Sequence, residues 1–321
     1  MGVERLTWRP DVLGPAYQQH DLPLPDGALA TLVRRVEPGV ADSAKPAVLY
    51  LHGFVDYFFH PHVADAFEAR GYRFYALDLR SHGRSMGRGK EEGVPNYVRH
   101  LSVYAQDLDA AAAAIRAEGH RQLILMGHST GGLIGPLWAA ARPGRLTALV
   151  LNSPWLDFNA NRLMRGPVTQ LMHGIAKVAP KAKVSGLKCY YGQALHRDTG
   201  GEWDYDLAWK PHNGFPVGAG WFSSVRRAHQ RIKEGLDIAC PILMMTSLRR
   251  GDNLHRHDEL LTTDSVLDPR QMWRLAAKLG PDVEVRALAA GAHDLALSPE
   301  PTRTRYLTEV LDWLDRVVEA G

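Results

Sequence analysis

The stretch Gln122–Ala140, QLILMGHSTGGLIGPLWAA, constrains the fold of this chain more than any other. An apolar run from Gln122 to Gly127 reads as a buried strand, Gly127 and Gly131 flank a sharp turn at Ser129, and a helix takes over from Leu133. Similar short runs recur at Ala30–Val36, Ala47–Gly53, Tyr72–Leu79, Leu146–Asn152, Pro241–Ser247 and Val283–Ala289. Helical patterns fill the intervals, clearest at Tyr104–Gly119 and at Thr304–Glu319, where Leu307, Val310, Leu311, Leu314, Val317 and Val318 share one face. Strand alternating with helix predicts an α/β fold, a mostly parallel central sheet flanked by helices.

The alternation breaks after Ser153 and resumes with the strand at Ile242. In between, Arg162–Ala179 carries Leu163, Leu171, Met172, Ile175 and Val178 at helical spacing, and Trp155, Trp203, Trp209 and Trp221 cluster in or beside the same region. The expected organisation is a core in two parts, 1–152 and 237–321, with a mainly helical cap inserted at 153–236.

Of the 321 residues 45% are hydrophobic, enough for one large α/β domain with an insertion. The net charge of +3 is too small to point to nucleic acid. Basic clusters at Arg84–Lys90 and Val225–Lys233 read as a solvated loop and a solvated helix face. No window approaches the 18 or so uninterrupted apolar residues of a membrane span, and Met1–Pro15 lacks the apolar stretch of a signal peptide, so no stable membrane insertion is expected. Cys189 and Cys240 are the only cysteines and read as free thiols, which points to a cytoplasmic protein. Oligomeric state is not legible.

Gly127-His128-Ser129-Thr130-Gly131 fits G-x-S-x-G, in which a serine sits on a strained strand-to-helix turn and the helix N-terminus favours developing negative charge. A serine nucleophile needs a histidine base and a carboxylate to orient it, both at later strand ends. His293 follows the strand Val283–Ala289 and precedes the last helix, as the base requires. For the acid, the loop after Pro241–Ser247 offers Asp252, Asp258, Asp264 and Asp268. Asp268 has a structural role instead, since with Pro269 and Gln271 it forms a capping-box arrangement that opens a helix. Asp264 is preferred to Asp252, whose Gly251-Asp252-Asn253 context also reads as a turn. Donors for an oxyanion are expected from the backbone N–H of Thr130 and of Phe54, since Leu49–Phe54 ends the third strand on His52-Gly53.

Taken together, LHGF, DLRSHGRS (Asp78–Ser85), GHSTGG, DSVLD (Asp264–Asp268) and GAHD (Gly291–Asp294) resemble the α/β-hydrolase fold, within it the monoacylglycerol lipase, lysophospholipase and serine aminopeptidase-like group. That resemblance implies Ser129, Asp264 and His293 as nucleophile, acid and base, with Phe54 and Thr130 as oxyanion donors. It also implies a carboxylic ester of lipid-like type as the small-molecule partner, and no metal or organic cofactor. Two departures from the group are visible: Leu248–Thr263 separates the acid from its strand, and the oxyanion loop reads FVDYFFH, expected as an aromatic wall.

Amide hydrolysis or cofactor-free perhydrolysis could use the same residues, and a non-catalytic small-molecule receptor is the reading from another class. Relatives with an aspartate nucleophile are disfavoured by the serine. His60 with His62, and His255 with His257 and Asp258, lack the spacing of known metal-ligand sets.

Overall fold

Every one of the seven expected runs forms a strand in the computed structural model, which describes residues 6–36, 46–89, 94–158, 174–186 and 188–320. In chain order the strands are β1 (Arg9–Asp11), β2 (Gly14–Pro23), β3 (Leu29–Arg35), β4 (Ala47–Leu51), β5 (Arg73–Asp78), β6 (Leu123–His128), β7 (Ala148–Asn152), β8 (Lys183–Ser185), β9 (Val217–Gly218), β10 (Ile242–Ser247) and β11 (Val283–Leu288). The main sheet has nine strands in the order β1-β2-β3-β5-β4-β6-β7-β10-β11. From β5 to β11 all neighbours are parallel, and β1, β2 and β3 close the other edge antiparallel.

Side chains alternate across the sheet, as strand geometry demands. Ala47, Leu49 and Leu51 of β4 join one core layer, with helices α2 (Tyr104–Ala117), α3 (Gly131–Ala140) and α5 (Ala219–Glu234). Val48 and Tyr50 face the other layer, with α1 (Pro61–Ala69) and α7 (Thr302–Ala320). Two short helices, α4 (Tyr190–Leu195) and α6 (Pro269–Leu275), follow β8 and β10 in the chain.

Three features differ from expectation. The β1–β2 hairpin, which closes the sheet edge, was not visible because β2, GPAYQQHDLP, has few apolar residues, and β4, which carries His52-Gly53 at its end, is the fourth strand, not the third. The interval between the sheet neighbours β7 and β10 also contains a two-stranded antiparallel pair, β8 with β9. Of the residues expected on its first helix, Leu163, Leu171 and Met172 lie outside the described residues, while 174–178 is helical.

The stretch Arg84–Lys90, of which Lys90 lies outside the described residues, is not simply a solvated loop. Arg84 is buried, donating to both carboxylate oxygens of Asp11 at 2.6 and 2.8 Å and to Asp78 at 2.8 Å. The two carboxylates hold its guanidinium more basic than usual, although burial opposes this. Asp78 also accepts the N–H of Phe58 and of Arg84, tying the β5 end to the FVDYFFH loop. Arg84→Met should therefore lower stability by about 3–5 kcal/mol in urea titration, because it strands two buried carboxylates. A loss below about 1 kcal/mol, the worth of an exposed pair, would contradict that account.

Candidate active site

The site forms where parallel strands end. Ser129 follows β6 at φ +51°, a left-handed conformation that a non-glycine residue adopts only when its surroundings enforce it. Here the enforcement is visible: its N–H donates to the Asn152 carbonyl at 3.0 Å, and its own carbonyl accepts the Trp155 N–H at 2.9 Å. A Cβ on Gly131 would lie 2.4 Å from the Leu51 carbonyl oxygen, and one on Gly127 would lie 2.6 Å from that of Gly131. Both glycines of G-x-S-x-G are thus required by close backbone approach.

Ser129 Oγ lies 3.0 Å from His293 Nε2, and His293 Nδ1 lies 3.0 and 3.1 Å from the two carboxylate oxygens of Asp264. A carboxylate can only accept, so Nδ1 carries the ring proton and Nε2 is left as an acceptor for the serine hydroxyl. Asp264 is fully buried, and its Oδ1 also accepts the N–H of Val266 at 3.1 Å and of Leu267 at 2.7 Å. The three residues expected to act together are brought together.

The route to Asp264 explains the long acid loop. β10 ends at Ser247, the chain leaves at Gly251, and it returns beside its own exit: the Asp264 N–H donates to Arg249 O and the Gly251 N–H to Asp264 O. The intervening residues form an excursion that leaves the acid next to the strand end. Asp268 caps α6, its carboxylate accepting the Arg270 N–H at 3.1 Å. Asp252 accepts the Leu254 N–H at 2.9 Å in a turn, beside His255 and His257, and does not reach His293. The His255, His257 and Asp258 cluster is likewise occupied with local turns, His257 against Asp252 O and Asp258 opening a short helical turn.

Thr130 stands at the N-cap of α3, and Phe54 follows Gly53; both line one cavity with Ser129 and His293. A Cβ on Gly53 would sit 3.3 Å from that of Ser129, so glycine brings this backbone close to the serine. His52 fixes the next peptide. It accepts the Leu79 N–H on Nε2 at 3.1 Å, so Nδ1 is the protonated nitrogen and donates to Gly53 O at 2.7 Å. In a trans peptide the N–H points opposite the carbonyl, so holding Gly53 O on one side turns the Phe54 N–H to the other. Burial pushes the His52 imidazole down, which keeps it neutral with Nδ1 as its single donor.

The aromatic loop does not form a wall throughout. Phe54 lines the cavity, its ring centre 4.3 Å from that of Trp221 and tilted against it, whereas Phe58 is in the core, Tyr57 packs on Trp209, and Phe59 packs on Tyr205, which itself lines the cavity. The cavity measures about 300 Å³ and is largely apolar, with Leu195, Val217 and Leu267 among its walls.

Behind the histidine, sequence reasoning missed a second carboxylate. Asp294 is buried and accepts from Asn152 Nδ2 at 2.7 Å and from the Ala296 N–H at 3.0 Å, with His60 Nε2 3.4 Å away. Burial alone would raise its pKa, but His128, His60 and Asn152 outweigh that and hold it well below the usual carboxylate range. Burial pushes His128 down to about 4, so it is neutral and donates from Nδ1 to Asn152 O at 3.2 Å. Asn152 and Asp294 thereby pin the loop that presents His293. The one available signal was position: a polar residue at the last place of an otherwise apolar strand.

The family described as serine aminopeptidase, S33, matches residues 42–300. A monoacylglycerol lipase of Mycolicibacterium smegmatis is 34% identical over 155 residues, 47% of this chain and 51% of that protein. Epoxide hydrolase 4 of Mus musculus is 30% identical over 132 residues, 39% of this chain and 33% of that one. The matches thus span about half or less of the length of these curated relatives. Among solved structures, the monoacylglycerol lipase of Paleococcus ferrophilus superposes with a TM-score of 0.61 at 19% identity, over 84% of this chain and 94% of that one. A soluble variant of the monoglyceride lipase of Saccharomyces cerevisiae, in complex with a substrate analog, gives 0.64 at 14% identity, over 99% and 96%. At such identities the likeness is one of fold. With the match over most of its length and the same sheet architecture, the chain belongs to the serine aminopeptidase S33 family, of α/β-hydrolase fold.

Proposed function

We propose that this protein hydrolyses a carboxylic ester of lipid-like type, through an acyl-enzyme on Ser129. The observation that carries the reading is the unbroken chain Ser129 Oγ, His293 Nε2, His293 Nδ1, Asp264, whose serine and histidine line an apolar cavity. Ser129 Oγ attacks the acyl carbonyl carbon as His293 Nε2 takes its proton, and Asp264 steadies the imidazolium. The N–H groups of Phe54 and Thr130 receive the oxyanion. The intermediate collapses as His293 passes the proton to the departing alkoxide, releasing the alcohol. Water, deprotonated by His293, then attacks the acyl carbon and frees the acid and Ser129. Chain, substrate and water supply every proton and electron pair. Of residues 153–236, the part before α5 acts as a cap, contributing Tyr191 and Leu195 to the cavity, while α5, packed in the core layer, adds Trp221.

Charge favours ester over aminopeptidase chemistry. A free α-amine binds most readily beside an unpaired carboxylate. Among the described residues lining the cavity the only carboxylate is Asp56, which Lys210 already neutralises at 2.6 Å. The cavity volume of about 300 Å³ lies at the lower end of ligand sites, roughly 300–1,000 Å³, and suits a monoester better than a triester. The mouse relative is named an epoxide hydrolase, but at the turn this chain carries a serine and not an aspartate.

A fluorophosphonate probe should label the protein once, and p-nitrophenyl esters from acetate to palmitate should show kcat/KM rising about fourfold per methylene, from roughly 0.8 kcal/mol each, until the cavity fills. Faster cleavage of aminoacyl amides than of any ester would overturn the ester reading.

A further inference from the structure

We propose that Lys210, in the segment between β7 and β10, is a positioning residue for the oxyanion peptide and acts through Asp56. This rests on the ester-hydrolase reading, in which the Phe54 N–H receives the oxyanion. The Lys210 Nζ lies 2.6 Å from Asp56 Oδ1, and Asp56 Oδ2 accepts the Gly53 N–H at 3.2 Å. One carboxylate therefore joins the cap-side ammonium to the residue immediately before the proposed donor. Asp56 is buried, and although burial raises its pKa, Lys210 leads the opposing charges that bring it down to about 2. It is ionised at any working pH.

The loop between needs such a tie. Val55, flanked by Phe54 and Asp56, holds φ +53°, a conformation that is a genuine outlier for a β-branched residue and persists only where neighbours impose it. Two consecutive residues, Asp56 and Tyr57, impose it from the same cap turn: the Tyr57 hydroxyl accepts the Asp206 N–H at 2.7 Å, and the Lys210 N–H closes that turn on Asp206 O at 2.9 Å. The ammonium itself lies 5.4 Å from the centre of the Phe59 ring and 5.7 Å from that of Tyr205, which confines it. Loss of the ion pair lets Asp56 swing out, relaxes Val55 and turns the Phe54 N–H off line. A transition-state interaction is lost while the apolar walls that bind substrate stay, so kcat should fall and KM should not.

The test compares Lys210→Met, Lys210→Arg and the double variant Lys210→Met with Asp56→Asn, by ester kinetics and by hydrogen exchange of residues 53–58. Lys210→Met should lower kcat roughly 10- to 100-fold with KM within about twofold, and speed exchange of that segment at least tenfold. Lys210→Arg should restore most of both. The double variant removes the stranded buried charge and recovers thermal stability, yet kcat should stay low because the link to the cap is still cut. Recovery of kcat in the double variant, or unchanged exchange in Lys210→Met, would reduce the pair to a structural contact and overturn the proposal. Exchange is read whether or not the wild type turns over esters, so failure of the ester reading itself is seen separately, as an inert wild type.

Discussion

Ser129→Ala should reduce ester turnover by about 10⁴- to 10⁶-fold, with unfolding free energy changed by no more than roughly 0.5 kcal/mol. The two parts of the expectation have separate causes. The turn at φ +51° is held by backbone bonds to Asn152 O and from the Trp155 N–H, neither of which involves the hydroxyl. Alanine has the same Cβ and meets the same left-handed backbone, so the strain is unchanged. The hydroxyl's neighbour is His293 Nε2 at 3.0 Å, and a ring nitrogen that lines the cavity loses little when that one partner goes. Turnover, by contrast, loses the atom that forms the acyl bond, and only binding and the oxyanion donors remain. Kinetics with a short p-nitrophenyl ester, with urea titration of the same preparations, separates the two. Covalent labelling that survives in Ser129→Ala would require a different nucleophile.

The parts of this molecule that could be read from its sequence are those set by local pattern. Buried parallel strands are short apolar runs because both faces are covered, so β4 to β7 and β10 stood out, and the face of α7 followed from the spacing of Leu307, Val310 and Leu314. Ser129 was legible because the glycines at 127 and 131 answer a steric demand within five residues. The β1–β2 hairpin was not, since an antiparallel strand with a solvated face needs no apolar run. Arg84 misled for a different reason: Asp11 is 73 residues away in sequence, and Asp78, six residues before it, does not by itself mark a buried arginine. Asp56 with Lys210, and Asn152 with Asp294, share that property. Pairs made by topology across 142 or 154 residues leave no trace in spacing.

The acid lies between these cases, and its test carries the second large effect. Asp264→Asn should lower kcat by about 10⁴-fold, whereas Asp252→Asn should change it less than roughly threefold. In the folded chain Asp264 Oδ1 accepts two backbone N–H groups, from Val266 and Leu267, and an asparagine must keep its carbonyl oxygen there to satisfy them. Its NH₂ then faces His293 Nδ1 and donates to it, which forces the ring proton onto Nε2. That tautomer cannot take the proton of Ser129. The substitution therefore preserves shape, burial and hydrogen-bond number while inverting the one property the base needs, and the loss should appear in kcat with little change in KM. The Asp252 side chain is 45% exposed and serves a turn to Leu254, where an amide oxygen accepts as well as a carboxylate does. If Asp252→Asn carried the large loss and Asp264→Asn did not, the returning loop at Gly251 would be a structural excursion, and the orienting carboxylate would have to come from its exposed arm.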